Sequence, residues 1–181
     1  MEMDFRLLGP LEVAIHDGPV ALGGAKQRAV LVHLLLRANA LVTAERLIDE
    51  VWGDEPPAAA RNVLQTYVSR LRKALGDGRL EHESGGYVLH AEPSEIDAHR
   101  FEALVRDARQ NATSDPGAAA RLYREAESLW RGPALDDLAD QPSLRAEIGH
   151  LEALRLAATE ERVAAELSLG RHAEVVLSWR R

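Results

Sequence analysis

Apolar positions come in short clusters over the first two dozen residues and then settle into helical spacing. Phe5-Arg-Leu-Leu-Gly-Pro-Leu-Glu-Val-Ala-Ile15 is an apolar run broken at Gly9-Pro10. The turn Asp17-Gly18-Pro19 follows, then a second run, Val20-Ala-Leu22, that ends at Gly23-Gly24. An Asp-Gly turn between apolar runs predicts a small antiparallel sheet, whose plain role is to cap a core. Ala25 to Ala38 predicts a helix that is apolar nearly all round after Arg28, hence the buried central helix of a domain. From an N-cap at Thr43, Ala44, Leu47, Ile48, Val51 and Trp52 repeat with one-face helical spacing until Gly53 stops them. Asp54-Glu-Pro-Pro57 is a short, rigid, acidic loop, and Ala58-Ala-Ala60 opens the next helix after its proline.

That helix runs from Arg61 to Leu75 and is ended by Gly76-Asp-Gly78. At about 100° per residue, Leu64, Tyr67, Val68, Leu71 and Leu75 share one side; Asn62, Gln65, Thr66, Ser69, Arg72 and Lys73 share the other. Arg70 falls near the apolar edge, which assigns it to packing or a salt bridge. Arg79 to His90 then predicts a two-stranded hairpin with Ser84-Gly85-Gly86 near its tip. A sheet, three helices and a terminal hairpin make a winged helix–turn–helix, in which the third helix enters a major groove and the hairpin wing lies along the backbone or minor groove.

Ala91-Glu-Pro-Ser-Glu95 is short, polar and proline-bearing, so a domain boundary is expected there, separating residues 1–92 from 93–181. Beyond it, Ala, Leu, Glu and Arg dominate, as in an all-helical module. Asp97 can cap a helix carrying Phe101, Leu104, Val105 and Ala108. Asp115-Pro116 opens another, with Leu122, Tyr123, Ala126, Leu129 and Trp130 on one face. Gly132 to Pro142 is a loop, Ser143 begins a long helix to about Leu169, and Arg171 to Arg181 starts a further one. Two helix pairs joined by short turns give a loose tetratricopeptide-like plan. Val175, Val176, Leu177 and Trp179 have nothing after them to pack against. Arrays of this kind need capping repeats, so a chain ended inside its helical domain is expected; a short form that dimerises over that surface is the rival. The fold class is therefore mainly α with a small β part.

Charge sharpens the reading of the third helix. The net charge is −7, and residues 1–96 hold ten Lys and Arg against fourteen Asp and Glu. Yet Arg61, Arg70, Arg72, Lys73 and Arg79 face only Asp77 within their stretch, a local +4. A confined positive patch on an acidic body suits selective docking on DNA better than general adhesion. Gln and Asn can pair with adenine edges, Ser and Thr reach bases or phosphates, and Arg and Lys neutralise phosphates. An ordinary solvated helix face competes with that reading. Lys26 and Arg28, in a first turn where the helix dipole disfavours cations, face a phosphate or simply water.

Other chemistry finds little support. With no cysteine, disulfides and thiolate metal sites are excluded. The seven histidines (16, 33, 82, 90, 99, 150 and 172) lack metal-ligand spacing, and His33 belongs to the core or its rim. Gly23-Gly24-Ala25-Lys26 lacks the spacing of a phosphate loop, and no nucleophile elbow exists. Neither a metal nor another cofactor nor catalysis is expected. Without a long apolar segment or a signal peptide, a cytoplasmic protein with no membrane partner is expected.

Phe5 to Val13, the Lys26-Gln-Arg28 helix, Leu47-Ile-Asp-Glu-Val-Trp-Gly53, Val63-Leu-Gln-Thr-Tyr-Val-Ser-Arg-Leu-Arg-Lys-Ala-Leu75 and Gly86-Tyr87 together resemble the Streptomyces antibiotic regulatory protein (SARP) family. Downstream, Ile96-Asp-Ala-His-Arg-Phe-Glu102, Leu129-Trp-Arg-Gly-Pro-Ala-Leu135 and Leu169-Gly-Arg-His-Ala-Glu174 resemble its bacterial transcriptional activator domain. The resemblance implies a transcription activator that binds direct repeats of double-stranded DNA in promoters of secondary-metabolite genes. Copies would sit side by side, self-associating on DNA, and recruit RNA polymerase holoenzyme. By position, Asn62, Gln65, Thr66, Ser69, Arg72 and Lys73 match the family's groove-facing positions, and Arg61 matches one that touches phosphate. Ser84-Gly85-Gly86 matches the minor-groove element. Asp54, Glu55 and Pro56, within Gly53 to Pro57, match the polymerase-facing loop.

Three departures from the family's pattern matter. Ala25 stands where the family often has proline. Glu81-His-Glu83 makes the wing acidic, which argues against minor-groove insertion and leaves Arg79 a phosphate contact at most. The activator domain normally runs further than this chain does. The competing function is a protein-interaction or sensor module in which the winged helix is a passive scaffold.

Overall fold

The computed structural model describes residues 3–16 and 18–170. Strand β1 (Met3–Arg6) pairs antiparallel with β2 (Glu12–Ile15), and β2 with the two-residue β3 (Gly18–Pro19), in the order β1-β2-β3. Gly18 and Pro19, expected in the turn, belong to the strand instead; His16 takes up a left-handed φ of 48° just before them. Asp17 lies outside the described residues.

Helix α1 (Ala25–Leu35) buries every residue from Ala29 to Leu35, as a helix with no polar face must. Helix α2 (Ala44–Trp52) starts at Thr43, whose hydroxyl accepts the Arg46 N–H at 3.2 Å, and ends at Gly53 with φ 60°. Helix α3 (Ala60–Leu75) buries Leu64, Val68, Leu71 and Leu75, each contributing about 1.5–3 kcal/mol by leaving water. Tyr67 stacks on Trp52 of α2 with ring centroids 6.1 Å apart and planes at 8°.

A second sheet has the order β4-β6-β5, from β4 (Val42–Thr43), β5 (Leu80–Glu83) and β6 (Gly86–Leu89). The wing is thus three-stranded. Two residues ahead of α2 pair with β6, Val42 opposite Tyr87 and Thr43 opposite Gly86.

Pro93–Glu95 forms a single 3₁₀ turn before α4 (Asp97–Asn111), α5 (Pro116–Ser128) and α6 (Arg145–Ser168), with α5 packed between the other two. Asp115 caps α5, accepting from the Ala118 N–H at 2.8 Å. Ser143 sits in a 3₁₀ turn, Pro142–Leu144, and the long helix opens two residues later than expected, at Arg145. Asp97 is not the cap of α4. Ile96 holds that position, and the Asp97 carboxylate accepts the N–H groups of Leu7 and Leu8 at 2.7 and 3.0 Å. Asp137, after α5, accepts the Leu11 N–H at 2.6 Å and pairs with Arg28 at 2.6 Å. Two carboxylates from the helical half therefore grip the β1–β2 connection of the first half. Arg131 and Leu135 add backbone bonds to Leu8 and Leu7, and one apolar core runs from Met3 to Ala165 through both halves. The apolar cluster at 175–179 lies outside the described residues. No helix among the described residues is long and apolar enough to cross a membrane.

Candidate nucleic-acid interface

With one side of α3 buried, its other side is fixed as surface. Asn62, Gln65, Thr66, Ser69, Arg70, Arg72 and Lys73 are all exposed. No carboxylate stands on the helix, so the face offers amides, hydroxyls and cations alone. The Thr66 hydroxyl donates to the Asn62 carbonyl at 2.9 Å and must turn to reach outward.

The cations divide by their partners. Arg61 is paired with Glu45 on α2, side chains 61% exposed on both sides, and a backbone hydrogen bond, helped by Arg61, holds the Glu45 carboxyl below its ordinary range. Arg72 donates from Nε to the Leu80 carbonyl at 2.8 Å, tying α3 to the first strand of the wing. Arg70 is exposed and, among the described residues, makes neither a hydrogen bond nor an ion pair; the expectation of packing or a salt bridge is corrected. The angular reading had placed it too close to the apolar stripe.

Two expected contacts belong to the wing's construction. Arg79 forms a two-pronged pair with Glu95 at 2.6 and 2.7 Å and also donates to the His90 carbonyl at 3.3 Å. Its side chain is 20% exposed and turned toward the 93–95 turn. Gly86 is buried: a Cβ there would lie 2.3 Å from the Val42 carbonyl oxygen, so glycine is required by the close approach of β4. Gly85 remains exposed at the tip with φ 86° and open space around it, and its carbonyl accepts the Ala44 N–H at 3.0 Å. Glu81, His82 and Glu83 are exposed beside it, an acidic strand facing solvent.

Asp54, Glu55 and Pro56 are exposed on the loop between α2 and α3. Lys26 and Arg28 both have partners within the chain. Lys26 donates to the Val51 carbonyl at 2.5 Å, where the C-terminal dipole of α2 favours a cation, and Arg28 is spent on Asp137 and the Leu11 carbonyl. His33 is 3% exposed, with Nδ1 3.2 Å from Glu50 and Nε2 3.0 Å from the Ser143 hydroxyl. Among the described residues no cluster of three or more His, Asp or Glu side chains could hold a metal ion.

Glu45 is the residue of this surface that the sequence concealed. It stands sixteen positions before Arg61, and only the packing of α2 against α3 brings them together.

Residues 18–89 match the family described as transcriptional regulatory protein, C terminal, and residues 96–181 match the bacterial transcriptional activator domain. The chain is 38% identical to the regulatory protein AfsR of Streptomyces griseus over 173 residues, covering 95% of this chain and 18% of AfsR. It is 36% identical to the regulatory protein DnrI of Streptomyces peucetius over 187 residues, covering 94% of this chain and 67% of DnrI. A solved structure of Mycobacterium tuberculosis EmbR, in complex with a low-affinity phosphopeptide, superposes with a TM-score of 0.92 at 34% identity. That match covers 98% of this chain and 48% of EmbR's. With both domain types matched in order and two thirds of DnrI spanned, the chain belongs to the Streptomyces antibiotic regulatory protein family of transcriptional regulators.

Proposed function

We propose that this chain is a sequence-specific DNA-binding transcription activator whose helix α3 reads base edges in the major groove. The observation that carries the reading is the exposed, carboxylate-free face of α3 on a body of net charge −7. Asn62, Gln65, Thr66 and Ser69 supply donors and acceptors at the spacing of one helix face, and each two-pronged amide–base pair is worth about 1–3 kcal/mol of discrimination. Membership of the Streptomyces antibiotic regulatory protein family supports promoters of antibiotic genes as the target, and direct repeats bound by copies side by side are the arrangement proposed here. The wing approaches the backbone only with its uncharged tip at Gly85 and stays out of the minor groove, because Glu81 and Glu83 keep the rest of the strand away from phosphate. The exposed loop of Asp54, Glu55 and Pro56 contacts RNA polymerase.

Genome-wide occupancy followed by footprinting tests the target. Protection of two adjacent repeats in the same orientation is expected, and the absence of any protected promoter would overturn the reading. Run-off transcription tests the loop. Asp54→Ala with Glu55→Ala should leave DNA affinity unchanged and lower the activated transcript several-fold; an unchanged transcript removes the loop from the contact.

A second reading, a protein-interaction module with a passive winged helix, draws on the acidic wing and on the pairing of Arg61 and Arg79 with carboxylates. Specific binding that persists at about 150 mM salt excludes it, and no affinity at about 50 mM favours it.

A further inference from the structure

Affinity for a phosphate backbone depends on the cationic charge a surface delivers, not on the number of its Lys and Arg residues. Arg61 comes with Glu45 attached. Such an exposed pair adds little to stability, yet it is already neutral and would carry a carboxylate toward the DNA. Arg72 is held at Nε by the wing, and Arg79 is committed to Glu95. Arg70 and Lys73 remain, both exposed, and neither has an ion pair or a hydrogen bond among the described residues.

Their places on the helix differ. Lys73 lies with Asn62, Thr66 and Ser69 at the centre of the exposed face. Arg61 and Arg72 project along one flank, beside Gln65, and Arg70 projects along the opposite flank, beside Thr66. A helix seated in a major groove turns the centre of its face to base edges and its flanks to the phosphates on either side.

We propose that Arg70 is the phosphate anchor of α3, neutralising a backbone phosphate on its own flank while Arg61 stays paired with Glu45. This deepens the reading of α3 as the groove-entering helix and rests on it. Glu45 then acts as a built-in counter-charge that keeps non-specific affinity low. The guanidinium of Arg70 needs no partner broken before it binds, and its charge is delivered in full.

The test is fluorescence anisotropy of the full chain with a labelled duplex of scrambled sequence, titrated between about 50 and about 200 mM salt. Arg70→Gln should flatten the logarithmic salt dependence by about one, and Arg70→Lys should retain it. Removing the pair whole, in Arg61→Gln with Glu45→Gln, should leave the slope unchanged, whereas Glu45→Gln alone should steepen it by about one by releasing Arg61. An unchanged slope in Arg70→Gln, the same flattening in Arg70→Lys, or equal flattening in the Arg61→Gln, Glu45→Gln double variant would each overturn the assignment. Wild-type chain that binds no duplex at about 50 mM salt would overturn the groove reading along with it. Normal wild-type binding with an unaffected Arg70→Gln removes this inference alone.

Discussion

Burial strips His33 of its proton. Its imidazole is pushed down to about 4 from an ordinary 6.5, chiefly by burial, with Glu50 opposing and Arg37 and Arg46 adding to the shift. With the ring neutral, the 3.2 Å approach of Nδ1 to Glu50 is not a salt bridge, and Nε2 shares a hydrogen bond with the Ser143 hydroxyl. A histidine whose folded value lies below its unfolded one binds fewer protons when folded. Its contribution to stability is fully present above about pH 6.5 and is lost as pH falls toward about 4. Urea unfolding at pH 7 and pH 5 should show a smaller loss in His33→Gln than in the wild type; equal losses would mean that His33 titrates normally. The same logic of burial governs Asp97. Burial raises its carboxyl above the ordinary range against the pull of the Leu7 and Leu8 N–H groups. Asp97→Ala leaves two buried N–H groups without an acceptor, each costing about 1–3 kcal/mol, so destabilisation of about 2–6 kcal/mol is expected by urea unfolding. A loss below about 0.5 kcal/mol would show that water replaces the carboxylate.

Elements with a long one-sided stripe were legible from sequence. Helices α2 and α3 follow from Thr43, Gly53 and the spacing of Leu64, Val68, Leu71 and Leu75, because burial of one face is a local pattern. Strand β4 was not legible. It spans two residues, too few for a period, and owes its strand geometry to β6. Gly86 was consequently misread as a wing-tip contact, when its lack of a side chain serves the approach of Val42. Asp97 was misread as a cap for a related reason: its partners Leu7 and Leu8 lie ninety residues away, beyond any local pattern. On the solvent-facing side the exposed residues of α3 were legible, while the pairing of Arg61 with Glu45 and of Arg79 with Glu95 was not. Gly86→Ala would drive a methyl group into the Val42 carbonyl, and overpacking of this kind costs about 1–3 kcal/mol. Thermal unfolding should register that loss for Gly86→Ala but little change for Gly24→Ala, where the added Cβ meets nothing within 4 Å and the backbone is already extended. Equal melting of the two variants would count against the pairing of β4 with β6.

On the scale of the molecule, the carboxylates of Asp97 and Asp137 and a continuous core fix the helical half against the winged helix. In the proposed activator, a DNA contact at α3 then sets where the loop at 54–56 and helices α4 to α6 stand above the duplex. If α3 is that contact, the overall charge of −7 leaves little attraction for DNA elsewhere, so weak non-specific binding with a shallow salt dependence is expected beside tighter specific binding.

The most direct test of base reading by α3 compares a promoter direct repeat with its scrambled counterpart at about 150 mM salt, using wild-type chain and Gln65→Ala with Ser69→Ala. Both side chains are exposed and make no hydrogen bond among the described residues, so the variant should fold normally. The wild type should prefer the promoter site strongly, and the double variant should lose about tenfold or more of that preference while keeping its affinity for the scrambled duplex. Undiminished discrimination in the double variant would contradict reading of the bases by this face.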